Sequence, residues 1–131
     1  MKEELPVLYQ DDHLIAIHKP PGLLVHRSLV DRHETRFAVQ LLRDQIGQWV
    51  YPAHRLDRGT SGVLLFALSS DMARELGRQF EAQTVHKTYL AVVRGHPEEV
   101  GVIDHALSRQ FDDGEWQGER MNREPQAALT R

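Results

Sequence analysis

The chain has 131 residues, enough for one domain or part of one, with 40% apolar and 27% charged residues. Sixteen Lys and Arg against nineteen Asp and Glu give a net charge of −3, so bulk charge does not mark a nucleic-acid binder. The absence of cysteine excludes disulfides and thiolate chemistry, no apolar run approaches the ~20 residues of a membrane span, and Met1-Lys2-Glu3-Glu4 does not read as a signal peptide; a cytoplasmic location is expected.

Pro6-Val7-Leu8-Tyr9 is a short apolar strand candidate, and Gln10-Asp11-Asp12 supplies a turn. His13 to His18 is rich in β-branched residues and should pair back as a hairpin strand. Lys19-Pro20-Pro21-Gly22 stops it, because two prolines remove backbone donors and glycine permits the turn. Lys19 then stands at a strand end, where it is either solvated, in contact with a phosphate, or supporting a pocket. Leu23-Leu24-Val25 is a second short apolar piece, and His26 to Thr35 reads as a loop. Phe37, Leu41, Leu42 and Ile46 recur at helical spacing before Gly47, which predicts a helix over Thr35–Ile46 with Thr35 as its N-cap. Trp49-Val50-Tyr51 is a short strand or extended piece.

Val63 to Leu68 is an unbroken apolar run and reads as a buried strand. Ser69-Ser70-Asp71 places a hydroxyl cap and an acid at a helix start. Met72, Leu76 and Phe80 lie four apart, the stripe of an amphipathic helix from Asp71 to Ala82. Val85 to Val93 predicts a further strand, with Lys87, Tyr89, Ala91 and Val93 on one face and Leu90 and Val92 in the core. Gly101 to Asp104 is one more short strand candidate. From Ser108 onward apolar residues are sparse, so residues 108–131 read as an acidic, weakly structured tail after a domain spanning 1–107. The pattern implies an α+β fold: a mixed, mostly antiparallel sheet with flanking helices.

Charge is unevenly placed. Arg27 to Arg58 holds six arginines against four acids, and Glu98 to Arg120 holds seven acids against two arginines. A basic middle beside an acidic tail is compatible with a local anion-binding face.

The densest chemistry is His54-Arg55-Leu56-Asp57-Arg58-Gly59-Thr60-Ser61-Gly62, on a loop that leads into the Val63–Leu68 strand. Taken alone it could be a surface loop with one ion pair. As a metal site, His54-x-x-Asp57 lacks a third ligand nearby. As a triad, Ser61 lacks the G-x-S-x-G elbow. A single carboxylate, Asp57, held ionised between Arg55 and Arg58 and acting as nucleophile or base, uses the residues best.

His54-Arg55-Leu56-Asp57-x-x-Thr60-Ser61-Gly62 resembles the signature of the RluA-type pseudouridine synthases. Lys19-Pro20-x-Gly22 resembles the first motif of that family, and Lys87-x-Tyr89-x-Ala91-x-Val93-x-Gly95 its tyrosine-bearing motif, in matching order and spacing. Leu24-Val25-His26-Arg27-Ser28 with Asp31-Arg32, and Arg43 to Gln48, resemble the branch that acts at position 65 of tRNA. The resemblance implies an isomerase that moves uracil from an N1 to a C5 glycosidic bond in RNA, with tRNA as partner and no cofactor or metal. Asp57 matches the essential aspartate, Tyr89 the tyrosine that stacks on the target base, and Arg55 the arginine linked to base flipping. His54, Arg58, Thr60 and Lys19 are expected on the substrate side.

The C-terminal half of the family's domain supplies a further basic residue and an Arg-x-His-Gln-x-Arg segment, neither of which occurs here. The chain is therefore expected to be the N-terminal half, inactive or nearly so alone, and prone to self-association through an exposed sheet edge. Competing readings are a hydrolase using Ser61 or Asp57, a ribosomal RNA pseudouridine synthase, and a non-catalytic RNA-binding fragment using Arg27, Arg32, Arg36, Arg55 and Arg58.

Overall fold

A computed structural model describes residues 3–27, 34–104 and 129–130. Among them the chain forms two compact units, one ending at Lys87 and the other beginning at Thr88.

In the first unit, β1 (Val7–Gln10) and β2 (Leu14–Lys19) make the expected hairpin. Asp11 shapes its turn: the carboxylate accepts from the N–H groups of His13 and Leu14 at 2.8 and 2.9 Å, a local bond that competes with strand continuation. β2 pairs antiparallel with β4 (Gly62–Ala67), from Leu14↔Ala67 to Lys19↔Gly62. β3 (Tyr51–Pro52) flanks β4 on the other side, giving the order β1-β2-β4-β3, antiparallel throughout. Alternation puts Ile15, Ile17 and Lys19 on the same face as Leu64 and Phe66. That face meets Leu23, Val25 and Leu56 from the loops and Ala38 and Leu42 from α1 (Ala38–Ile46). α2 (Ser70–Glu81) lies against β3 and β4. The architecture is the expected α+β arrangement.

α1 begins three residues later than the periodicity predicts. Phe37 is extended (φ −137°, ψ 141°), buried, and bridged in parallel to Leu24. The N–H groups of Ala38 and Val39 donate to the carbonyls of Leu24 and Val25 at 2.8 and 2.9 Å. The main chain of the preceding segment thus satisfies the first-turn donors, and Thr35 is not the cap. Gly47, at φ 71°, closes the helix by donating to the Arg43 carbonyl. α2 starts as expected, with Ser69 Oγ accepting from the Met72 N–H at 3.1 Å and Asp71 in the first turn. Ser69→Ala is expected to cost about 1 kcal/mol, read as a lower urea midpoint with an unchanged slope.

The expected strand over Val85–Val93 is corrected by the structure. No strand forms there, and Leu90 and Val92, expected in the core, are fully exposed. Alternating composition acquires faces only where a neighbouring strand supplies ladder partners, and among the described residues none pairs with this stretch. Further on, β5 (Ile103–Asp104) pairs antiparallel with β6 (Leu129–Thr130), in keeping with the short strand expected at 101–104. The boundary expected between residues 107 and 108, and nearly all of the tail, lie outside the described residues, as does the middle of the His26–Thr35 loop. No helix of the described residues is long and apolar enough to cross a membrane.

Candidate active site

Two turns meet where β2 ends and β4 begins. In the first, Pro21 presets the i+1 backbone and Gly22 takes the positive φ (88°) that a type II turn demands at i+2. The second is closed by the Thr60 N–H donating to the Asp57 carbonyl at 3.0 Å. The Gly22 N–H donates to the Arg58 carbonyl at 2.7 Å, joining the two.

Lys19 completes the junction. Its side chain is entirely buried. Its Nζ donates to the carbonyls of Pro20 at 2.8 Å, Leu23 at 2.6 Å and Arg58 at 3.1 Å. An ammonium has three protons, so all of them are occupied by main chain. Of the roles open to Lys19 in the sequence, supporting a pocket fits this geometry and contacting a phosphate does not. Burial pushes its pKa below the ordinary lysine value, and the Asp57 carboxylate partly restores it. The feature that announces this role is alternation: Lys19 shares a strand face with Ile15 and Ile17, which points it inward.

Leading into the second turn, Arg55 and Asp57 are exposed and Leu56 is buried in the core. Anchoring Leu56 inward turns its two neighbours outward. Among the described residues Arg55 forms no ion pair with Asp57. The expected clamp from that side is absent, because two exposed side chains gain little by surrendering their freedom to pair. The Asp57 carboxylate and the buried Lys19 ammonium interact electrostatically. Arg58 and Thr60 are partly exposed on the turn itself, and Gly62, at φ 132°, leads it into β4.

His54 is engaged with the sheet and with α2. Its Nε2 accepts from the Leu65 N–H at 3.1 Å, and its ring stacks on Phe80 of α2 with centroids 4.9 Å apart and planes 16° from parallel. Burial first, and then the charge of Lys87, hold its pKa below the ordinary 6.5. The engaged Nε2 leaves a Ser61 triad without that ring nitrogen as its base. Among the described residues no group of three or more His, Asp or Glu is placed to hold a metal ion. The Leu65 bond is invisible in sequence, since nothing in the spacing links residue 54 to residue 65.

Tyr89 belongs to the second unit, where it is exposed in irregular chain. Of the arginines offered to RNA, Arg36 pairs with Glu3, and Arg27 lies over the Phe37 ring at 5.4 Å. Arg55 remains the exposed arginine beside Asp57.

Comparison with known proteins identifies the family. The family model described as RNA pseudouridylate synthase matches residues 13–129. The tRNA pseudouridine synthase C of Pasteurella multocida is 57% identical over 126 residues, covering 96% of this chain and 52% of that protein. The protein of the same name from Haemophilus ducreyi is 64% identical over 109 residues, covering 83% and 45%. The solved structure of human RNA pseudouridylate synthase domain containing 1 superposes with a TM-score of 0.69 at 27% identity, covering 98% of this chain and 51% of that one. The chain thus spans about half the length of the curated relatives it matches. Matched by the family model along most of its length, the chain belongs to the RNA pseudouridylate synthase family.

Proposed function

We propose that this chain carries the reacting carboxylate of a uridine-to-pseudouridine isomerase acting on tRNA in the cytoplasm. The observation that carries the reading is Asp57: its side chain is exposed, while its main chain is fixed through Leu56, Thr60 and the Arg58 carbonyl. A main chain fixed in this way limits where the carboxylate can reach and lowers the cost of ordering it at the moment of reaction.

The reaction breaks the N1–C1′ bond of uridine and rejoins the base through C5. N1 gains a proton and C5 loses one, so the product is an isomer. A carboxylate can serve by bonding to C1′, by adding to the base, or by removing the C2′ proton. A uridine within folded RNA must first leave its stack, which costs a few kcal/mol. Arg55, exposed beside Asp57, suits that step electrostatically, and the family resemblance gives Tyr89 the stacking role. The names of the bacterial relatives support tRNA as the substrate, and the branch resemblance points to position 65.

Because the chain spans about half of those relatives, the remainder of the site is assigned to the other half. Alone it is expected to show little activity and to self-associate, the β1 edge with Val7, Leu8 and Tyr9 exposed being the candidate surface. Joining it to the second half of the Pasteurella multocida relative tests the activity. Tritium release from tRNA carrying 5-tritiated uridine should be restored in the hybrid and remain near background for the chain alone. A well-folded hybrid without tritium release would count against the reading. Ser61→Ala in the same hybrid separates the hydrolase alternative, since the isomerase loses little by it.

A further inference from the structure

We propose that His54 is a positioning residue: its unprotonated Nε2 continues the β3–β4 ladder and so fixes the approach of the chain to Asp57. The proposal rests on the reading of Asp57 as the reacting group.

The argument begins at Pro52. It is the last residue of β3 and stands opposite Phe66, so Ala53 falls opposite Leu65. In a regular antiparallel pair at this position, two residues exchange both of their N–H···O bonds. One of these is made, from the Ala53 N–H to the Leu65 carbonyl at 2.9 Å. The return bond is not. The Leu65 N–H donates instead to the His54 imidazole at 3.1 Å. A side chain therefore takes the place of the Ala53 carbonyl, and the backbone is released to turn toward Leu56 and Asp57 while β4 keeps its donor satisfied. The stretch from His54 to Arg58 is then held at both ends. The Leu65 N–H holds the first through the imidazole, and Lys19 and Gly22 hold the second at the Arg58 carbonyl.

This anchor exists in one protonation state. Nε2 accepts only while it carries no proton; imidazolium donates from both nitrogens and would face the Leu65 N–H with another N–H. The surroundings favour the neutral ring. β4 presents the Leu65 main chain, α2 presents Phe80, and the segment after α2 brings the positive charge of Lys87. On its own loop, Arg55 and Asp57 are exposed. Burial and Lys87 both lower the affinity of the ring for a proton. The sign follows: the stabilisation is complete above the ordinary value of 6.5 and is lost as pH falls through the lower folded value.

Amide exchange and chemical shifts followed by NMR on this chain, without RNA, test the proposal independently of any activity. In the parent chain the Leu65 amide should exchange about tenfold faster, after correction for intrinsic rate, once the His54 ring titrates. The Asp57 amide resonance should move with the same midpoint. His54→Gln places an acceptor at nearly the reach of Nε2 and cannot titrate, so it should retain Leu65 protection and lose both pH effects. His54→Phe keeps the stack on Phe80 without an acceptor and should expose Leu65 at every pH. The proposal is overturned if Leu65 protection ignores His54 protonation, or if His54→Gln reproduces the pH-dependent Asp57 shift. Should His54→Phe fail to fold, the parent and His54→Gln profiles decide alone. A failure of the isomerase reading would appear instead in tritium release and leave these profiles unchanged.

Discussion

Asp57→Asn in the hybrid enzyme is expected to reduce tritium release by at least about 10³-fold, because the group that bonds or takes a proton is removed. The fold should survive. The contact that sets the turn is the Asp57 carbonyl, which accepts from the Thr60 N–H whatever side chain follows. Asparagine matches aspartate in size, and the side chain is exposed. One loss is foreseeable: the carboxylate favours the buried Lys19 ammonium, and asparagine does not. The thermal midpoint should therefore fall by no more than about 4 °C. A variant that keeps its midpoint and its tritium release would remove Asp57 from the chemistry and leave the RNA-binding reading in its place. Under that alternative, affinity for tRNA falls steeply with salt and is the same for the parent and the Asp57→Asn variant.

Lys19→Met is the second large effect, and it separates stability from chemistry in the opposite way. Methionine fills the space of the aliphatic stem but supplies no donor. The Pro20 and Leu23 carbonyls lose the Lys19 ammonium, while the Arg58 carbonyl keeps the Gly22 N–H. Each buried carbonyl left without a partner costs about 1–3 kcal/mol, and removing a desolvated charge recovers part of it. A net loss of roughly 2–4 kcal/mol is expected, measured as a lower urea midpoint. Tritium release by the folded hybrid should drop about 10²-fold, the scale of a slight misplacement of a reacting group. If Lys19 instead met a substrate phosphate, stability would hold and affinity for tRNA would weaken. An unchanged urea midpoint for Lys19→Met would refute the clasp.

Much of the first unit is legible in sequence, for identifiable reasons. The hairpin at Asp11, the Val63–Leu68 strand and the Ser69 cap are local devices, written in neighbouring residues. The start of α1 is not, because the partner of Phe37 is Leu24, which no periodicity reveals. The Val85–Val93 strand fails for a related reason, since alternation describes a strand only in the presence of its neighbour. At the site, Asp57 stands out by its motif. The ion pair expected from Arg55 does not form, because sequence adjacency says nothing of where two exposed side chains point. The carbonyls held by Lys19 and the donor held by His54 are main-chain groups, and main-chain groups leave no mark in a sequence.

The Lys19↔Gly62 pair is the terminal rung of the β2–β4 ladder. Paired strands fray from their ends, so this rung would ordinarily be the first to open and the first to admit a protease. The chain from Pro20 to Ser61, which includes α1 and β3, connects the two sides of this rung. By binding carbonyls near both ends of that connection, Lys19 makes opening of the rung demand the release of two turns together. Fraying there becomes a concerted event rather than a gradual one, and the carboxylate beside it stands on the end of the ladder least free to wander.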